Sequence, residues 1–458
     1  MSWSRFGRLA LPALLTLVGA GGARAADVTQ VASGFDDRRH FDINASVSWL
    51  HEVKSAYIKR ESETKAASQI ELIKDLQYKQ ARDVMNLRVE MGVFRDVGLH
   101  IDAPVVLRDA RGLNFDQSAG GCTLPGQGAT PTCVNSNNST ILRDGILPGY
   151  GQKTYGLDAT HNRAFADPST AVFRGPDRSG LESLGFGLTW AAMNEKRDDT
   201  KPTWTVSFDA KFDVGGDMKF DPLNPGASTG VGLGYHQLLW STYISKRFRY
   251  FDPYFGASYM LPLRTSGGPF QDYGGNQSDG QPQSRAAMVI GFEQIAWEAP
   301  QSAQRVTIEF QGHAEEHFFG RAQSELWEPL SGSPKCATDA TKCRAGLDLD
   351  LNGDGKPDPY PGVTDVQAYA SFGGNVGLNI QVGKHVRFRG LFGLTVEEPH
   401  YLTYANAGVD RNSNGVVNLT DTTEANPTYR EVIDLPGRRF RIEGTEIWSL
   451  FLEGVVLF

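Results

Sequence analysis

The C-terminal residues Trp448–Phe458 constrain the fold more than any other stretch of the chain. Trp448, Leu450, Leu452, Gly454, Val456 and Phe458 are apolar or small, while the residues between them include Ser449 and Glu453. Side chains of a strand alternate between its two faces. The segment therefore reads as a strand with one apolar face that stops on an aromatic residue. Such a strand closes either a soluble sandwich or a barrel.

The same period of two recurs along the chain. Phe41 to Trp49, Leu87 to Val93, Leu99 to Leu107, Leu184 to Ala192 and Trp204 to Phe212 all alternate. So do Leu238 to Ile244, Phe255 to Leu263, Ala286 to Phe292, Val306 to Ala314, Val366 to Val382, Val386 to Val396 and Ile442 to Phe458. Period-two patterning predicts strands, about twelve of them. An extra hairpin from Thr140–Leu142 and Ala171–Phe173 would make fourteen. Residues 63–82 are charged and fit either a surface helix or an extension of the first two strands.

The connections alternate in length. Short ones are expected near 95–98, 195–202, 247–252, 298–304 and 383–385. Long ones are expected near 62–83, 108–182, 214–233, 264–284, 315–364 and 397–440. A sandwich gives no reason for that alternation, whereas a membrane barrel carries short turns at one end and long loops at the other. Trp49, Trp190, Trp204, Trp240, Trp297 and Trp448 fall at or near the expected strand ends, where a barrel has its aromatic girdles. The mean hydropathy of −0.34 is compatible with this, because only alternate residues of a barrel strand meet lipid.

The start of the chain fits the same picture. Arg5 and Arg8 precede an apolar run from Leu9 to Val18, then small residues and Ala23-Arg24-Ala25. This is the pattern of a secretory signal peptide over 1–25, cleaved at an A-x-A site. With that leader, the strand rhythm and the terminal Phe458, the chain resembles Gram-negative outer-membrane β-barrel proteins. The resemblance implies an all-β fold over 26–458, a single transmembrane antiparallel barrel with long extracellular loops. It also implies outer-membrane lipids around the wall, both termini in the periplasm, and barrel assembly machinery that reads the strand ending at Phe458. About fifteen residues separate the expected cleavage site from the first strand. That is too short for a plug or periplasmic domain, and argues against an energy-coupled transporter or an insertase.

The formal net charge of −8 argues against nucleic acid as a partner, since phosphate binding needs a basic face. Four cysteines form two local pairs, Cys122 with Cys133 and Cys336 with Cys343. In an exported protein these read as short-loop disulfides, although four cysteines permit three connectivities.

Two acidic stretches have calcium-ligand spacing. Asp350, Asn352, Asp354 and Asp358, with the Lys356 carbonyl, surround Gly353 and Gly355. Asp410, Asn412, Asn414, Asn418 and Asp421 surround Gly415. Calcium takes six to eight oxygen ligands, and a glycine at the sixth position allows the sharp turn. The first stretch resembles thrombospondin-type calcium repeats and the second the loop of dockerin modules, which implies Ca2+ as a cofactor. Pro361 stands where the first loop would need its closing carboxylate, and the second has neutral amides between its two acids. Asn, Asp and Gly also favour plain solvated turns.

His313-Ala314-Glu315-Glu316-His317 matches the H-x-x-E-H zinc-protease motif. That chemistry needs a helix, and here the motif continues an alternating run. A polar ladder is the plainer expectation. The outer-membrane phospholipases, also twelve-stranded, are similar in architecture only, since their Ser-His motif has no match here. The expected inner face carries Arg88, Glu90, Asp209, Lys211, Arg285, Glu293, Glu309, Gln311, Arg387, Arg389, Arg441 and Glu443. Mixed charge of this kind either closes the lumen with ion pairs or lines a narrow pore. A passive, non-enzymatic channel for small solutes is the first expectation. The alternatives are a structural or surface-display barrel whose calcium loops contact ligands or other cells, and a membrane-embedded hydrolase.

Overall fold

A computed structural model of the protein describes residues 26–36, 39–63, 70–116, 171–220, 229–271, 276, 280–331 and 361–458. Twelve long strands form the wall. They are β1 (Ile43–Glu63), β2 (Ile70–Phe94), β3 (Val97–Phe115), β4 (Ser183–Met193), β5 (Thr203–Asp213) and β6 (Tyr235–Ser245). The wall continues with β7 (Phe251–Arg264), β8 (Arg285–Ala299), β9 (Gln304–His317), β10 (Tyr369–Val382), β11 (Val386–Glu397) and β12 (Phe440–Leu457). Each strand pairs antiparallel with the next, and β12 pairs with both β11 and β1. The sheet thus closes on itself and has no free edge to manage.

Period-two patterning places apolar side chains outside. Val47, Leu87, Ile101, Ile290, Val376 and Phe392 are among the large apolar residues left exposed on this outer face. An apolar band of this extent is not a surface for water. Aromatic residues gather at the short-turn end, where Phe94, Trp190, Trp204, Phe248, Trp297 and Phe458 are all exposed. The turns there are tight. Asp96, Arg249, Ala303 and Gly383 each adopt positive φ, which lets the chain reverse in a few residues.

The first wall strands are longer than a membrane needs. β1, β2 and β3 have 21, 25 and 19 residues, against roughly 9–11 for a span. Of the two readings of 63–82, the described part from Ile70 onward is a strand extension. β3 likewise continues to Phe115, well into the connection expected from 108.

Beyond the apolar band this extended wall reverses its polarity. Ile58, Leu76, Leu113, Phe115, Phe440 and Ile442 point inward there. They form a buried core with Phe173, Phe220, Trp327, Leu330, Val432 and Ile433 from the long loops. On β3 and β12 bulges produce the reversal, because one extra residue swaps every following side chain to the other face, whereas Ile58 and Leu76 reach the core by unbroken alternation. One lies at Leu107, between Val84↔Val106 and Asp83↔Arg108. Another lies between Glu443 and Glu446, where Gly444 has φ +60°.

That second bulge corrects one expectation. Arg441 and Glu443 do not face the lumen. Their strand partners are Lys59 and Tyr57, Glu443 forms an ion pair with Lys59, and the neighbours Phe440 and Ile442 occupy the inner face.

A candidate site in the barrel lumen

The remaining residues expected inside are where their alternation put them. Glu309 is 1% exposed. It accepts hydrogen bonds from Tyr254 Oη at 2.6 Å, Arg389 Nη2 at 2.8 Å, Arg389 Nε at 3.1 Å and Asn379 Nδ2 at 3.1 Å. Glu293 accepts from Arg305 Nη2 at 3.2 Å and Thr307 Oγ1 at 3.1 Å. Gln311 accepts from Asn375, and Arg285 lies 3.6 Å from Glu315. Buried carboxylates need such partners, since an unpaired one would have to give up its charge. In this half of the lumen Glu309 and Glu293 are thus held in a lattice of ionic and hydrogen bonds.

The other half, under β2 to β6, holds a cavity of about 340 Å³. Arg88, Glu90, His100, Asp102, Asp209 and Lys211 line it, with the hydroxyls of Thr189, Thr205, Ser207, Ser241 and Tyr243. His100 and Asp102 are the members sequence reading passed over. Their signal was present, because both fall on the polar side of the Leu99–Leu107 run.

Residues 26–33 cover this cavity at the short-turn end, and Val28 and Gln30 line it. Thr29 Oγ1 lies 2.7 Å from Ser245 Oγ on β6. Arg387 Nη1 on β11 donates to Gln30 Oε1 at 2.8 Å, and Ala32 N–H donates to Glu90 Oε1 on β2 at 3.1 Å. The segment thus ties opposite walls together across the mouth. Gly92 makes this possible, since a Cβ there would strike the Ser33 backbone. No plug domain was expected before the first strand, yet this short stretch occupies that place.

His313 and His317 lie on strand β9, not on a helix. His313 Nε2 is 2.9 Å from Thr395 Oγ1, while His317 stacks on Tyr369 at 4.3 Å. The two imidazoles have separate partners, as a polar ladder would.

At the long-loop end Trp327 is buried below Arg178, whose guanidinium carbon is 4.9 Å from the ring centroid. Arg178 also grips Glu328 through Nε at 2.9 Å and Nη2 at 2.7 Å. Burial, reinforced by the Asp365 charge, pushes the Asp434 carboxyl up to about 8.

In the loop at 410–421, Asp410 accepts N–H bonds from Asn414 at 3.2 Å and Gly415 at 2.7 Å. Asn412 and Asn414 accept from Asn414 and Val416. Asn418 and Asp421 cap separate turns at Thr420 and Thr423. Asp350, Asn352, Asp354, Lys356 and Asp358 lie outside the described residues, as do Cys122, Cys133, Cys336 and Cys343.

The chain matches no protein-family model and no curated protein sequence. It is similar in structure to an outer membrane channel from Pseudomonas putida F1, with a TM-score of 0.39 and 9% identity, covering 95% of this chain and 100% of that one. A Pseudomonas aeruginosa FadL homologue gives 0.31 and 6%, covering 91% and 90%. The outer membrane protease OmpT from Escherichia coli gives 0.26 and 9%, covering 94% and 100%. With its wall closed from β1 to β12, apolar outside and polar within, the chain folds as a closed twelve-stranded antiparallel β-barrel.

Proposed function

We propose that the protein resides in the outer membrane of a Gram-negative bacterium, termini in the periplasm, and is a narrow passive channel for small polar solutes. The cavity of about 340 Å³ carries this reading. It is lined by charges of both signs and by hydroxyls, which can replace the hydration shell of a small solute. Twelve strands lie between the filled eight-stranded barrels and the open channels of 16–18 strands, so the solute is small. The reading assigns the chain no catalytic role. Planar-bilayer recording of the purified barrel tests it. Steady ohmic steps are expected, and an intact but silent barrel would overturn it.

A second reading, surface binding through calcium-loaded loops, draws on the loop at 410–421. The N–H of Gly415, at the sixth position, is already bound to Asp410 at 2.7 Å, so the turn that calcium requires is in place. Calorimetry of the folded protein with millimolar calcium tests it, and absence of heat would remove it. Disulfides Cys122–Cys133 and Cys336–Cys343 belong to both readings. Peptide mapping without reduction checks them.

A further inference from the structure

We propose that His100, Asp102 and Asp209 form a divalent-cation site in the lumen wall, suited to a first-row ion such as zinc. Candidate ligand atoms of the three residues lie within 4.8 Å of one another. They come from β3 and β5, the two strands that flank β4, and His100 and Asp209 are 109 positions apart in sequence. All three are buried, His100 to 3% exposure, Asp102 to 5% and Asp209 to 8%.

The strand between them is shaped to receive them. β4 presents Gly185 and Gly187 to the cluster. A Cβ on Gly185 would strike the Asp102 carboxylate, and one on Gly187 would strike both His100 Nε2 and Asp209 Oδ1. Ordinary side chains at these two positions would fill the space in which the three groups meet.

The simplest alternative is a His–Asp hydrogen bond with no metal. It accounts for the contact between His100 Nε2 and Asp209 Oδ1. It leaves a second buried carboxylate, Asp102, in the same cluster, with its ligand oxygen within 4.8 Å of the other two donor atoms and no part in that bond. A bound dication would use all three groups, with His100 Nε2, the nitrogen that faces the cluster, as its nitrogen donor. One imidazole nitrogen and two carboxylate oxygens are zinc donors at about 2.0–2.2 Å. Small side-chain rotations would bring them from their present spread to the roughly 3.4 Å edge of a tetrahedral site. Three protein ligands leave a fourth position, and the cluster borders the cavity, so water or a solute donor can take it.

Isothermal titration of zinc into the tag-free, chelator-treated barrel in detergent tests the site. Wild type should bind zinc, and its heat of binding should lose one component in His100→Gln and in Asp102→Asn. Affinity for that component should fall about tenfold or more. Asp102→Asn keeps the shape of the side chain, so it guards against misfolding of the histidine variant. Retained heat-modifiable migration on gels shows that each variant still forms a barrel. Zinc should also raise the unfolding temperature of wild type and not of either folded variant. No zinc binding at millimolar concentration, or binding unchanged in both folded variants, would overturn the proposal and leave a His–Asp pair.

Discussion

At the scale of the residue, depth and burial decide what a charge does. Leu452 faces outward at 47% exposure, near the middle of the apolar run of β12. Val456 also faces outward, but it pairs with Val386 beside the turn at 383–385. The cost of arginine on a lipid face is about 2–4 kcal/mol at the bilayer midplane and about 0–1 kcal/mol near an interface. Leu452→Arg should therefore impair folding into vesicles far more than Val456→Arg, as read by urea titration in lipid. Asp434 gives a pH test in the loop core. Its folded value, about 8, lies above the 3.8 of a free carboxyl. Below about pH 4 both states hold the proton and the core is fully stable. As pH rises from 4 to 8 the unfolded chain alone releases it, and stability falls. Exchange protection of the Ala405 and Asp434 amides, corrected for intrinsic rates, should decline over that window. Asp434→Asn should flatten the decline.

At the scale of the element, bulges and loop anchors convert a membrane wall into a loop core. Deleting Gly444 would leave Thr445 alone between Glu443↔Tyr57 and Glu446↔Ser55, so Phe440 and Ile442 would stay inward and the long-loop end should stay protease-resistant. Deleting Gly444 and Thr445 together would turn Phe440 and Ile442 outward and Arg441 and Glu443 into the apolar core. That variant should lose ordered structure at the long-loop end, seen as new protease cuts around 402–440, while the barrel still resists heat in detergent. Glu328 anchors the same core from another loop. Removing one partner of a buried ion pair costs about 3–5 kcal/mol, because the other charge is stranded. Glu328→Ala should make the loops around 171–182 and 320–331 protease-sensitive. Arg178→Met with Glu328→Leu should recover most of the resistance. These elements also mark where the sequence was legible. Runs such as Trp204–Phe212 identify their outer faces without help, since Trp204, Phe208 and Phe212 are all exposed. Arg441 and Glu443 were misplaced because alternation cannot register an extra residue until the partner strand is known.

At the scale of the whole molecule, the N-terminal segment and the loop core cover opposite ends of one lumen. Removal of residues 26–33 frees Glu90, Ser245 and Arg387 from their contacts with it. Single-channel conductance should then rise several-fold over that of the barrel that retains them. Equal conductance would show that the segment does not limit passage. The sequence by itself determined the period of two, an all-β wall of about twelve strands and the chemistry of most of its faces, since these follow from side-chain direction within one strand. It did not determine that His100 meets Asp209, that Ser33 lies against Gly92, or that the faces of β3 and β12 exchange above the apolar band. Those features depend on which residues pair across strands far apart in the chain, and only closure of the barrel fixes that register.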